Sequence, residues 1–209
     1  MFKPLYAAFF ALLLLCGLSA CSKPETALPA NSTVLILGDS LTQGVGASSA
    51  QANYPALLKQ QTQWHIINGG VSGNTSAQAL ARLPELLQQH QPKLVIISIG
   101  GNDFLQRLPN GDTQANIAQS IALSQQSGAQ VLLVAVPELT LAAAVGHPND
   151  HAMYAQLAQS HQVHLLEDAW SDVLADDTLR SDAVHANDAG YQTFAKLLAE
   201  RLEQIGWLD

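Results

Sequence analysis

An α/β domain built on a parallel sheet is the fold class this sequence predicts, and three observations predict it. Short and mostly unbroken apolar runs recur along the chain, amphipathic segments of helix length separate them, and the first three runs each end on a glycine-punctuated polar loop. Strands buried on both faces read as continuous apolar runs, and crossover helices between them keep the strands parallel.

The first run, Val34 to Leu37, stops at Gly38 and hands over to Asp39-Ser40. The spacing then predicts a helix over Tyr54 to Gln61 and a second strand over Trp64 to Asn68. Ser76 to His90 is the clearest helix, because Ala79, Leu80, Leu83, Leu86 and Leu87 recur at helical spacing and mark a core face. Its Gln-rich opposite face suits solvent. Leu94 to Ile99 predicts the third strand, Thr113 to Ser127 a helix and Val131 to Val136 the fourth strand. Asp150 to His161 follows as a helix, then Val163 to Leu166 as the last strand and Ala186 to Ile205 as the closing helix. Five strands joined by right-handed crossovers suggest a flavodoxin-like order. Trp64, Trp170 and Trp207 are scattered and read as core.

The N-terminus stands apart from this pattern. Met1-Phe2-Lys3, the apolar run Leu5 to Leu15 and the small residues Gly17, Ser19 and Ala20 have the plan of an export signal. The run is shorter than the ~20 apolar residues a membrane span requires. Leu18-Ser19-Ala20-Cys21 resembles the bacterial lipoprotein box. The resemblance implies removal of residues 1–20, a lipid on Cys21, a tether over 21–32 and a catalytic domain over 33–209. An ordinary signal peptide with a chance cysteine is the other reading. Two acyl chains suffice for stable membrane attachment where one is marginal. The expected location is exported and periplasm-facing, and Ser22 after the cysteine favours the outer membrane if the source is Gram-negative.

With 9 Lys plus Arg against 17 Asp plus Glu, the 209-residue chain carries a net charge of −8, and loss of Lys3 makes the mature chain more negative still. An acidic surface argues against nucleic acid as a partner. The other cysteine, Cys16, leaves with the leader, so the mature domain has no internal disulfide and no thiolate metal site. Its stability must come from the core.

Loops after the strand carboxyl ends gather on one edge of such a sheet, where ligands bind. Those loops carry Gly38-Asp39-Ser40, Gly69 to Asn74 and Gly100-Gly101-Asn102-Asp103. Hydrolysis through serine needs a hydroxyl activated by a base and hydrogen-bond donors aimed at the tetrahedral oxyanion. Ser40 offers the hydroxyl and its own N–H, Gly73 a second N–H and Asn102 a side-chain amide, although Gly73 and Asn102 also read as plain turn residues. Asp182 and His185 lie three apart before the last helix, so one turn can bring the carboxylate to the imidazole and fix its tautomer. Asp39 reads as a residue holding the loop rather than as an acid catalyst.

These blocks, in this order, resemble the SGNH or GDSL hydrolases, and most closely the small bacterial arylesterases, thioesterases and lysophospholipases. Gly38-Asp39-Ser40-Leu41 corresponds to the first block, Ser72-Gly73-Asn74-Thr75-Ser76 to the second, Gly100-Gly101-Asn102-Asp103 to the third and Asp182-Ala183-Val184-His185 to the last. The similarity spans roughly residues 33–203. It implies an α/β/α sandwich and an esterase without cofactor or metal. Its catalytic residues would be Ser40, Asp182 and His185, its oxyanion donors Ser40, Gly73 and Asn102, and its substrate a small-molecule or lipid ester. A carbohydrate acetylesterase and an idle, lipid-anchored binding module are the alternatives.

The family often has proline after the catalytic histidine. Here Ala186 stands there, and Asn187 or Asp188 is expected to cap the last helix instead. Phe104, Leu105 and Leu108 resemble a loop that shapes the acyl site, and packing beneath that loop explains them equally well. No Gly-x-Ser-x-Gly elbow occurs. His147 with His151 and His161 with His164 lack a Cys or carboxylate frame and read as surface or structural histidines.

Overall fold

The computed structural model describes residues 26–138 and 148–208. The leader, Cys16, Cys21 and His147 lie outside the described residues. Five parallel strands, β1 (Thr33–Gly38), β2 (His65–Gly70), β3 (Leu94–Ser98), β4 (Gln130–Val134) and β5 (His164–Leu166), form one sheet in the order β2-β1-β3-β4-β5. This is the flavodoxin-like order. The unbroken apolar runs prove to be the three central strands, which are buried almost throughout, whereas the edge strand β2 is largely exposed or half-buried.

Helices cover both faces. α2 (Tyr54–Gln61) and α3 (Ser76–His90) have the bounds the sequence predicts, because each begins on a side-chain cap. Asn53 accepts the Ala56 N–H with Pro55 in the first turn, and Thr75 forms a reciprocal capping box with Gln78. α5 (Asn110–Gln126) starts earlier than the apolar period indicates, whereas α6 (Met153–His161) and α8 (Asp188–Ile205) start later. Three short helices have no signal in the hydropathy: α1 (Ser40–Gln43), α4 (Gly101–Leu105) and α7 (Ala169–Ala175). Right-handed crossovers place α3, α5 and α6 against one face and α2, α7 and α8 against the other.

Under the carboxyl edge, on the α8 side, lies an aromatic cluster. Trp170 stacks on Phe194 with ring centroids 3.7 Å apart, and Tyr54 and Tyr191 meet Trp170 edge-on. Each polar tip has a partner: the indole N–H of Trp170 donates to Ser98 Oγ at 3.1 Å, and the Tyr54 hydroxyl bonds Thr42 Oγ1 at 2.6 Å. The cluster therefore floors α1 and the end of β3 as well as filling the core. Trp170→Ala leaves a large cavity in a region that is fully buried, and it should cost about 3–5 kcal/mol of unfolding free energy in urea titrations. A loss below about 1 kcal/mol would mean that the cluster does not hold this face together.

Candidate active site

β1 ends at Gly38, where a side chain would overlap Thr42 and come within 2.7 Å of the Ser98 carbonyl. That missing side chain lets α1 turn straight off the strand. Asp39 caps the turn, its Oδ1 accepting the Leu41 N–H at 3.1 Å. Ser40 is the first residue of α1, so its N–H has no intrahelical acceptor.

His185 reaches this serine from far along the chain. Its Nε2 lies 3.0 Å from Ser40 Oγ, and its Nδ1 lies 2.8 Å from Asp182 Oδ2. Asp182 is held from below as well, Oδ1 accepting the backbone N–H groups of Val184 and His185, each at 2.9 Å. Partial burial pushes the Asp182 carboxyl up, but the Val184 N–H and the His185 ring outweigh it and hold the group below the usual carboxylate range. It is thus an anion at neutral pH, able to fix a proton on Nδ1 and leave Nε2 to accept one.

The segment carrying His185 is docked onto the loop after α1. Asp188 accepts both the N–H and the hydroxyl of Ser48, at 2.7 and 2.5 Å, and the Tyr191 hydroxyl donates to the Val45 carbonyl at 2.7 Å. Asn187 caps α8 by accepting the Gly190 N–H at 3.0 Å, so one of the two expected residues replaces the missing proline.

Gly73 and Asn102 face the same pocket as Ser40 and His185, a cleft of about 150 Å³ also walled by Ser72, Leu105 and Val184. Gly73 has φ +79°, a left-handed backbone that disfavours any side chain, and no atom lies within 4 Å of where its Cβ would stand. Its N–H meets no protein acceptor among the described residues. Asn102 lies on α4, and its Nδ2 donates to the Asn74 carbonyl at 3.0 Å, which sets the amide plane. Gln43 Oε1 accepts the Ser72 N–H at 2.6 Å and ties the second loop to α1.

Asp103, next to Asn102, is buried, and its carboxylate accepts the Ser76 N–H at 2.8 Å, the Ser76 hydroxyl at 2.5 Å and the Thr113 hydroxyl at 3.2 Å. It therefore locks the third loop to the start of α3. Gly100 has φ +127°, and a side chain there would overlap the Tyr154 hydroxyl, which donates to the Ile99 carbonyl at 2.7 Å. Sequence reading missed Asp103, Gln43 and Tyr154 as parts of the site. The one usable signal was Asp103, a charge that follows an apolar strand, a glycine pair and Asn102.

The loop after Asn102 divides between its two readings. Phe104 is buried and stacks on the His151 ring at 5.0 Å, whereas Leu105 lines the cleft and is 45% exposed. Leu105, Leu108 and Val71 are the exposed large apolar side chains among the described residues. His151 also accepts the Met153 N–H, and His164 packs edge-on to Trp207. No group of three metal-ligating side chains occurs among the described residues.

Residues 36–193 match the model of the GDSL-like Lipase/Acylhydrolase family. The chain is 36% identical over 182 residues to thioesterase 1/protease 1/lysophospholipase L1 of Escherichia coli K12, covering 84% of this chain and 86% of that protein. It is 31% identical over 184 residues to an arylesterase of Vibrio mimicus, covering 85% and 92%. Among solved structures, TesA superposes with a TM-score of 0.73 at 26% identity, covering 83% of this chain and 99% of that one. The esterase EstA of a Pseudoalteromonas species, inhibited by monoethylphosphonate, gives 0.72 at 26% identity over 83% and 97%.

Burial pushes the Asp39 carboxyl up from 3.8 to about 6, against the pull of the Leu41 N–H and of His185. A carboxyl raised in the folded state favours folding when protonated, so the wild type loses stability as pH rises from about 4 through 6. Asp39→Asn keeps a capping side chain without the charge. Its stability relative to wild type should improve by about 2 kcal/mol between pH 4.5 and 7.5. A pH-independent difference in urea unfolding would contradict this.

Proposed function

The chain belongs to the GDSL-like lipase/acylhydrolase family and is an ester hydrolase of that family, and from that premise we propose that it works through Ser40, His185 and Asp182 by way of an acyl-enzyme. The observation that carries this reading is the unbroken hydrogen-bonded line from Asp182 through His185 to Ser40, ending at a cleft that Gly73 and Asn102 also face. Ser40 Oγ attacks the ester carbonyl carbon while His185 Nε2 takes the hydroxyl proton. The carbonyl oxygen becomes an oxyanion held by the N–H groups of Ser40 and Gly73 and by the Asn102 amide. His185 then returns its proton to the departing alcohol, phenol or thiol. Water attacks the acyl-enzyme by the same route and frees Ser40.

The substrates we assign are aryl and acyl esters, with thioesters and lysophospholipids as the wider range that the names of the relatives suggest. Fully enclosing ligand pockets run to about 300–1,000 Å³. A cleft of about 150 Å³ takes the reacting carboxyl and a short stretch of chain, and leaves the remainder lying across Leu105. The lipoprotein reading of Leu18 to Cys21 adds an export route and a lipid anchor. Ester-bearing lipids or imported esters are therefore better candidates for the natural substrate than cytoplasmic acyl-CoA.

Kinetics on a short p-nitrophenyl ester test the assignment. Asn102→Ala should lower kcat about 10²–10³-fold. Ser40→Ala and His185→Ala should each cost more, and the double variant little beyond either, because the residues act as a unit. A fluorophosphonate should label wild type and leave Ser40→Ala unmarked. Wild-type turnover in Ser40→Ala would sink the proposal, and absence of labelling in an otherwise folded wild type would favour an idle binding module.

A further inference from the structure

Arg82 projects from the middle of α3 and is half-buried, yet it pairs with no carboxylate among the described residues. Its donors go to two neutral acceptors. Nε donates to Asn74 Oδ1 at 2.9 Å, and Nη2 donates to the Gly38 carbonyl at 2.8 Å. A guanidinium is a rigid planar fork, so two bonds from one head fix the separation and angle of what they hold. Drawing such a head part-way out of water for two uncharged acceptors is an expensive way to stabilise a surface helix. The two acceptors show what the cost secures.

Gly38 is the last residue of β1, two before Ser40, and its carbonyl also accepts the Val71 N–H at 3.2 Å from the second loop. Asn74 directly follows Gly73, and its own carbonyl is the acceptor that orients the Asn102 amide. One side chain thus grips the backbone beside the first oxyanion donor and the residue beside the second, which in turn holds the third. We propose that Arg82 is the positioning residue of the oxyanion hole, clamping the Ser40 strand end to the Gly73–Asn74 loop so that the three donors converge on one point. It touches no reacting atom and acts through Gly38 and Asn74. This role rests on the assignment of Ser40, Gly73 and Asn102 made above.

Misplacing groups by about 1 Å can cost on the order of 10²-fold in rate. Arg82→Met keeps the apolar stem and removes the fork. It should lower kcat about 10- to 100-fold per active site, counted by fluorophosphonate labelling run to completion, with KM within about twofold, because oxyanion contacts tighten in the transition state. Arg82→Lys keeps the charge but puts its donors on one nitrogen in place of the planar fork that spans the two acceptors, and it should lose about tenfold. In an Asn102→Ala background Arg82→Met should cost measurably less than in the wild-type background, since one of the three donors it positions is already gone.

The role is overturned by an unchanged kcat per labelled site in Arg82→Met, by full activity in Arg82→Lys, or by an undiminished loss in the Asn102→Ala background. If Arg82→Met does not fold, the lysine variant and its own cycle with Asn102→Ala decide the matter. Failure of the underlying site assignment looks different, because Asn102→Ala alone would then leave kcat unchanged.

Discussion

A 3.0 Å contact between His185 and Ser40 spans 145 residues of chain, and no local structure can supply it. Ser40 is placed by β1, the second strand of the sheet, while His185 stands in a loop that no strand holds. The contact depends on how α8 docks. Asp188 on Ser48, Tyr191 on Val45, and Gly46 packed without a side chain against the Ala186 carbonyl and Ser181 bring the last loop against the first. The aromatic cluster of Tyr54, Trp170, Tyr191 and Phe194 lies directly behind that seam. Core packing and the geometry of the Ser40–His185 contact are therefore the same set of contacts at this end of the domain, and a defect in either disturbs the other.

Three charges are drawn out of water at this edge, and each is handled differently. Asp103 is satisfied by three donors from α3 and α5, so its burial is offset by hydrogen bonds that also join the second and third loops. Arg82 is satisfied by neutral acceptors and holds the first loop to the second. Asp39 is the least compensated, with one backbone donor beside it, and burial dominates its titration. Breaking a buried charge from its partners leaves an unsatisfied ion, which costs more than the contact itself contributes. The polar frame behind the site is for that reason more sensitive to substitution than its exposure indicates.

Much of this was legible in the sequence because it is written in short-range chemistry. The apolar runs located the strands, the caps at Asn53 and Thr75 set the starts of α2 and α3, and the Gly-Asp-Ser and Asp-x-x-His blocks named the residues that the fold brings together. What escaped was of two kinds. α1, α4 and α7 are too short to show a helical period, and they exist because tertiary contacts hold them: Gln43 ties α1 to the second loop, Asp103 anchors α4, and Trp170 on α7 is buried in the core. The supporting polar residues escaped because their partners are distant in sequence. Arg82 is 44 residues from Gly38, and Gln43 is 29 from Ser72. Nothing local distinguishes such side chains from a solvated helix face.

The two edges of the sheet carry different burdens. At the amino edge Leu28 donates to the Trp207 carbonyl and Asn31 to that of Gln63, so the chain enters and leaves the domain beside buried Trp64 and Trp207. Those contacts close the core and touch no part of the cleft. At the carboxyl edge the loops after β1, β2 and β3 are glycine-bearing and fastened to one another by side chains, Gln43 to Ser72, Asp103 to Ser76 and Arg82 to Gly38 and Asn74, which is the rigidity that the proposed oxyanion hole would require. Among the described residues the cleft is about 150 Å³, with Leu105 in its wall and Val71 and Leu108 exposed on neighbouring segments. Under the proposed function, donors fixed below and an apolar side chain exposed above would pair a strict requirement for the ester group with a loose one for what is attached to it.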